Sequence, residues 1–339
     1  MIVCVAESEL MPRASVIITT NNRPALLSRA IESARAAGRE IEIVVVDDAS
    51  SDETADTCRR IPGIKYVRVD RNQGVAGARN IGLVASSGEF VTFLDDDDLR
   101  VSGSLDSQIR ILDQTPEAMM IYGQAIPEDA SGERRQPFPG ECPQGDIFWE
   151  LLIRNFLPSG SVVFRRACIS QIGMLDDSIP GIDDWDLWIR IAEIFPVAAI
   201  ETPVLVWRQS TAISGQGSSD TLDLIERGRR RFRREWMRLP RVAGARPEKK
   251  KFVWRAFSKN IAEHLAWESF AAVRTAQIIR ASRGLRTLLR LHPAAIADLA
   301  RRWTSASTIA TLLRALIDRA ELPNAREHFK QVRSNISRR

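Results

Sequence analysis

No apolar run in the 339-residue chain reaches the roughly 20 residues that a membrane-spanning helix needs, although 44% of the residues are hydrophobic. CxxC pairs are also missing. Cys4, Cys58, Cys142 and Cys168 stand far apart, which argues against a compact zinc site or a disulfide framework and makes a reducing cytoplasm the natural compartment. The opening residues MIVCVAESEL have no basic segment and include Glu7 and Glu9, so they do not read as a secretory leader. The three histidines, His264, His292 and His328, lack metal-ligand spacing and are assigned to surface or core. No sharp internal repeat is found.

What the chain does have is an uneven charge. Residues 1–220 hold 20 Lys and Arg against 33 Asp and Glu, while residues 221–339 hold 28 against 10, so a net charge of +5 hides an acidic part followed by a basic one. Length and composition allow one large domain with an appendage, or two domains.

From residue 15 the pattern alternates between strand and helix. SVIITT (15–20), IEIVVVDDAS (41–50), IKYVRVD (64–70) and EFVTFL (89–94) read as strands. Asn21, Asn22 and Pro24 open a helix with Leu26, Leu27, Ala30 and Ile31 on one face, Ser50 or Ser51 is placed to cap the next, and 75–86 is a third. Strands that are apolar along their whole length are covered on both faces. The series therefore predicts an α/β fold with a mainly parallel sheet, right-handed crossovers and a ligand crevice at the strand C-terminal ends. Further on, 159–166 reads as a strand, 183–195 as a helix and 204–207 as a late strand. SGQGSSD (214–220) reads as a linker or loop, and the remainder of the chain is helical in period with breaks around 239–251 and at Pro293.

The polar residues sit where the crevice is expected: Thr19 to Arg23 after the first strand, Asp47 and Asp48 after the second, Asp70 to Gly74 after the third, Asp95 to Asp98 after the fourth. Four adjacent carboxylates need positive charge near them. Asp95, Asp96 and Asp97 form an Asp-x-Asp triplet whose hard oxygens suit Mg²⁺ or Mn²⁺, ions that complete their shell with water and a diphosphate. The plain alternative is a solvated acidic turn or a helix cap. Asp48 is placed to accept hydrogen bonds from a base or ribose, or else to cap a helix. RNQGVAGARNIG (71–82) is compatible with a phosphate-binding turn and equally with a glycine-eased helix start. Asp184 at the start of the 183–195 helix is a candidate general base, and with Asp183 and Asp186 it also complements the helix dipole. Trp185 and Trp188 offer either a sugar-stacking face or core packing.

Taken together, SVIITTNNRPALLSRAIESA, IEIVVVDDASSDET, NQGVAGARNIGL, GEFVTFLDDDDLR, PSGSVVFRRA, IGMLDD and DDWDLWIRIA resemble, in this order, the family-2 inverting glycosyltransferases of the GT-A fold. The resemblance spans about residues 13–210 and implies transfer of a sugar from a nucleoside-diphosphate sugar to a saccharide or lipid-linked acceptor, in bacterial polysaccharide or glycolipid assembly. It divides the chain into an extension (1–12), a GT-A domain (13–215) and a basic helical C-terminal region (216–339). Position by position, it implies that Thr19, Asn21 and Asp48 surround the nucleobase. Asp96 would lie near the ribose or donor sugar, Asp97 would bind Mg²⁺ or Mn²⁺, and Asp95 would reach the donor or the metal through water. Arg79 and Asn80 match an element bordering the donor site, Arg23 and Gly74 join the nucleotide-sugar-binding set, and Asp184 falls on the catalytic base. Many relatives carry an aromatic residue where this chain has Asn21, which leaves the base identity open.

Two rivals to this reading are a nucleotidyltransferase, for which TTNNRPA offers only Arg23 as a phosphate-gripping group, and a non-catalytic nucleotide-sugar-binding scaffold subunit, against which Asp97 and Asp184 both argue. The arginine-rich runs 226–238 and 246–255, with interleaved Trp and Phe, suit an anionic membrane surface on the cytoplasmic side, and equally a solvated face. No nucleic-acid recognition motif accompanies them.

Overall fold

The computed structural model describes residues 11–129, 131–208, 221–274 and 278–291. The first ten residues, the 214–220 stretch, His292, Pro293 and His328 lie outside the described residues. The chain divides into two compact units, the first Met1–Asp220 with Arg234–Arg241 and the second Thr221–Arg233 with Val242–Arg339.

The first unit begins β1 (Ala14–Thr20), α1 (Pro24–Ala37), β2 (Ile41–Asp48), α2 (Thr54–Arg60), β3 (Lys65–Val69), α3 (Gly74–Ala85) and β4 (Phe90–Asp95). These four strands pair in parallel in the order β3-β2-β1-β4. All seven residues of β1 are buried, as a strand covered on both faces requires. Val16 and Ile18 join a core with Leu27, Ala30, Ile31 and Ala34 of α1, while Ile17 faces α3.

The remainder comprises β5 (Leu99–Arg100), α4 (Ser104–Gln114), β6 (Met120–Glu128), α5 (Phe148–Ile153), β7 (Val162–Arg165), α6 (Ile169–Ile172), α7 (Asp183–Ile194) and β8 (Val197–Arg208). The eight-stranded sheet runs β3-β2-β1-β4-β7-β6-β8-β5. It is mixed: β7 is antiparallel to β4 and β6, β5 is antiparallel to β8, and β6 and β8 are parallel.

Three local readings change. The strand expected at 159–166 is confined to Val162–Arg165 because Ser159–Ser161 form a tight helical turn. The late strand starts seven residues earlier than expected and pairs with β6, which the sequence pattern did not single out. Gly123, Gln124 and Pro127 in β6, and Glu201 and Pro203 in β8, interrupt the apolar alternation, and the register slips at Gly123 to Ala125. Neither Ser50 nor Ser51 caps α2: their N–H groups donate to Asp47 Oδ1 and Asn22 Oδ1, and Asp52 receives the Thr54 N–H instead.

The second unit contains α8 (Thr221–Arg234) except its last residue, the second half of α9 (Pro240–Ala243), α10 (Pro247–Arg274) and α11 (Ile278–Leu291). Its core stacks Phe232 on Phe257 at 4.0 Å between ring centres, with Val253, Leu265, Ala281 and Leu288 buried. Among the described residues no helix is long and apolar enough to cross a membrane.

Helix α3 sits unusually close to the sheet because Gly82 has no side chain: a Cβ there would lie 2.2 Å from Ile17 Cγ2. Gly82→Ala should therefore destabilise the protein. The gain in helix propensity, about 1 kcal/mol, is outweighed by overpacking that costs about 1–3 kcal/mol. A thermal-melting comparison checks this, and a higher Tm in the variant would show that α3 can move away from β1.

Candidate active site

The acidic turn follows β4 directly and is closed by the Asp98 N–H donating to Asp95 O at 3.0 Å. Its four carboxylates meet four different fates. Asp96 is buried and accepts hydrogen bonds from Thr20 Oγ1 at 2.7 Å and from the Arg23 guanidinium at 2.9 Å. Burial raises its pKa, and Arg23 opposes that shift. Asp97 has Arg23 only at 3.8 Å, and burial, followed by the neighbouring Asp95 and Asp96, pushes its pKa up to about 6. Asp98 turns inward and takes the Arg208 N–H at 2.8 Å, tying the turn to β8, while burial and then Asp95 raise its pKa. Asp95, the most exposed of the four side chains, receives Arg79 at 2.8 Å.

A second group forms at the ends of β1 and β2. Thr19 occupies the C-terminal end of β1, in register with Asp95 on β4 and Val46 on β2. The side-chain amide of Asn21 donates to Asp48 O at 2.7 Å, so its polar end is committed to the neighbouring strand. Asp48 Oδ1 in turn accepts the Gln73 N–H at 2.7 Å, and Asn72 Nδ2 also reaches Asp48 O. Desolvation raises the Asp48 pKa, and the backbone N–H groups of Gln73 and Gly74 oppose that shift. Gly74 opens α3 with φ +71°, a left-handed value that admits glycine readily, and open space lies where its Cβ would be. The three loops thus cross-link: Asn22 adopts φ +55°, its N–H bonds Ser50 Oγ, and its side-chain carbonyl oxygen accepts the Ser51 N–H.

The third group is brought from far along the chain. Arg79 is 4% exposed, and its guanidinium bridges Asp95 Oδ1 at 2.8 Å and Asp183 Oδ2 at 3.1 Å, with the cation 5.3 Å from the Phe93 ring centre. Asp183 is the first residue of α7, so the next residue, Asp184, stands beside the acidic rim. Burial, then the adjacent Asp183, pushes the Asp184 pKa up to about 7, and Arg79 pulls it back. Asp186 is occupied elsewhere, since it accepts Trp236 Nε1 at 2.7 Å and Arg190 Nε at 2.9 Å. Trp188 is fully buried against Phe93 and Phe164, which settles it as core, while Trp185 donates to Leu151 O and packs edge-on against Trp236.

The predicted residues thus fall into two neighbouring clusters on one rim. Asn21, Asp48 and the loop before Gly74 form one; Arg23, Arg79, Asp95, Asp96, Asp97 and Asp184 form the other. Thr20, Asn72, Gln73 and Asp183 belong to the same network. The sequence places the first three in the loops at the crevice and Asp183 at a helix start, but it gives none of them a role in the site. Among the described residues no three His, Cys, Asp or Glu side chains form a cation cage. Asp97 with Asp95 is a hard-oxygen pair of the kind that holds Mg²⁺ or Mn²⁺ together with a diphosphate.

Comparison with known proteins bears on the family and the fold. A profile described as glycosyl transferase family 2 matches residues 15–171. The GalNAc(5)-diNAcBac-PP-undecaprenol beta-1,3-glucosyltransferase of Campylobacter jejuni is 45% identical over 154 residues, 43% of this chain and 48% of that protein. The chain therefore matches only about half the length of that relative. The UDP-Glc:alpha-D-GlcNAc-diphosphoundecaprenol beta-1,3-glucosyltransferase WfaP of Escherichia coli is 27% identical over 186 residues, 53% of this chain and 70% of that protein. Among solved structures, S. aureus TarS 1-349 in complex with UDP-GlcNAc superposes with a TM-score of 0.58 at 16% identity, covering 85% of this chain and 83% of that one, which shows a shared GT-A-type fold. Residues 15–171, somewhat under half of the chain, are therefore a glycosyl transferase family 2 domain.

Proposed function

We propose that the chain transfers a sugar, with inversion, from a nucleoside-diphosphate sugar to a hydroxyl of a lipid-linked saccharide in bacterial glycan assembly. One observation carries this reading: Arg79 joins the carboxylate rim after β4 to the residue preceding Asp184, so a diphosphate-facing group and a base-like carboxylate share one site. The names of the Campylobacter and Escherichia relatives, which specify undecaprenol-linked acceptors, support the acceptor class.

In the transfer, the acceptor oxygen attacks the anomeric carbon from the face opposite the diphosphate, the bond from that carbon to the phosphate oxygen breaks, and the acceptor proton passes to Asp184. Asp48 and the Asn21 and Gln73 loops hold the nucleoside, and Thr20 and Arg23 fix Asp96 beneath the sugar and ribose. The donor set fits a divalent ion, because Asp97 stands among like charges with Arg23 no nearer than 3.8 Å, and Asp95 is partly open. When bound there, Mg²⁺ or Mn²⁺ would neutralise charge building on the departing nucleoside diphosphate. The exposed Arg230, Arg233 and Arg234 of α8, with Arg229 and Arg231 partly exposed, suit contact with anionic lipid, where a lipid-linked acceptor is found.

Asp184→Asn should leave donor affinity nearly intact and lower turnover by about 10²–10⁴. Because the base must be unprotonated, kcat/KM of the parent should climb as pH rises through the Asp184 pKa of about 7 and level off above it. Calorimetry and a pH profile on one preparation test both points. Turnover within a few-fold of the parent would remove Asp184 from the base role.

Asp97→Asn should reduce transfer by about 10² or more and abolish the dependence of nucleoside-diphosphate binding on Mn²⁺, measured by titration with and without the ion. An unchanged titration would dismiss the metal assignment.

Neutralising Arg229, Arg230, Arg231, Arg233 and Arg234 should weaken binding to anionic vesicles by on the order of 1 kcal/mol for each charge near the surface, with transfer to a soluble acceptor little affected. Equal sedimentation of variant and parent at low and high salt would show that this face is merely solvated.

A further inference from the structure

Two adjacent residues of α3 reach across to the segment that delivers Asp184, and neither is committed to an open wall of the site. Arg79 is buried, with one terminal nitrogen on Asp95 and the other on Asp183. Asn80 makes a reciprocal pair with Leu175: its Nδ2 donates to Leu175 O at 2.9 Å and its Oδ1 accepts the Leu175 N–H at 3.0 Å. The partners lie 104 and 95 residues away in sequence, so both are purely tertiary links. Asp183 is also engaged on its other oxygen, which accepts the Gly181 N–H at 3.0 Å. The loop 175–183 is thus held to α3 at both of its ends.

Helix α3 is a firm base for such links. Gly82 lets it seat directly on Ile17 and Val46 of the sheet, and its first turn is tied to Asp48 through Gln73. Asp184 itself receives a hydrogen bond from the N–H of the next residue, Trp185, and its position is inherited from Asp183.

We infer that Arg79 and Asn80 are positioning residues which set the separation between the donor-side carboxylates and the base carboxylate by anchoring 175–184 to α3. This inference rests on the functional reading above, and it assigns Arg79 to the framework of the site rather than to the donor. A guanidinium is suited to the task because its fork serves two acceptors on different elements at once, whereas a lysine ammonium is a single point on a flexible stem. Misplacement of a reacting group by about 1 Å costs on the order of 10²-fold in rate, so a loosened link should register in kcat.

The test uses the full chain with Arg79→Lys, Asp183→Asn and their combination, together with Asn80→Ala. Donor affinity should stay within a few-fold while kcat falls by about 10- to 100-fold in each single variant. The Arg79 and Asp183 double variant should be about as slow as either single one, because both sever the same link. Additive losses, or a fall in donor affinity that accounts for the whole loss of kcat/KM, would overturn the inference and return Arg79 to the donor. Hydrogen exchange read by mass spectrometry supplies an arm independent of turnover: Arg79→Lys and Asn80→Ala should speed exchange over 173–186 and leave β1 and β4 unchanged. Unaltered exchange there refutes the anchoring even if no nucleotide sugar is turned over by the parent, an outcome that would instead sink the functional reading.

Discussion

The site depends on one buried cation. The guanidinium of Arg79 lies between Asp95 and Asp183, carboxylates that are far apart in the sequence and end on one group in the fold. Burying a charge is costly unless it is paired and hydrogen-bonded, and burying carboxylates near one another is costlier still. Arg79 meets both conditions at once. Its removal would leave Asp95, Asp183 and Asp184 without the counter-charge they share, so the acidic rim and the cation beneath it form one electrostatic object.

That object explains how four consecutive aspartates are tolerated. Each is treated differently: Asp95 by Arg79, Asp96 by Thr20 and Arg23, Asp98 by a backbone N–H of β8. Asp97 is left with the least compensation, at 3.8 Å from Arg23. A run that looks uniform in one dimension is divided in three into two structural carboxylates, one bridge and one group with charge to spare.

The parallel half of the sheet was legible because strands buried on both faces must be apolar throughout, and the residues interrupting them fall at their C-terminal ends. The recurring motifs then placed Asp48, Asp95 to Asp97 and Asp184 on one rim. Strand β6 was not legible, since Gly123, Gln124 and Pro127 break its alternation and only pairing with β8 sustains it. The division of labour within DDWDLW was equally hidden. Asp183, Asp184 and Asp186 share a helix turn, and what separates them is Arg79 and Trp236, which arrive from other parts of the chain, together with Arg190 one turn further along the same helix. The motif puts Arg79 at the donor border, and nothing local reveals that its two terminal nitrogens bond Asp95 and Asp183.

Trp236 has a further bearing on how such a chain can be inherited. The first unit resumes at Arg234–Arg241 after the chain has already entered the second, and the indole of Trp236 is buried there on Asp186 and Trp185. The two units are therefore interleaved in sequence rather than strung end to end. A single recombination crossover after residue 220 would carry off part of the first unit's interior together with the second. Exchange of the basic helices between relatives must then either preserve the stretch through Arg241 or replace its indole from the incoming segment, so the two units are constrained to diverge together.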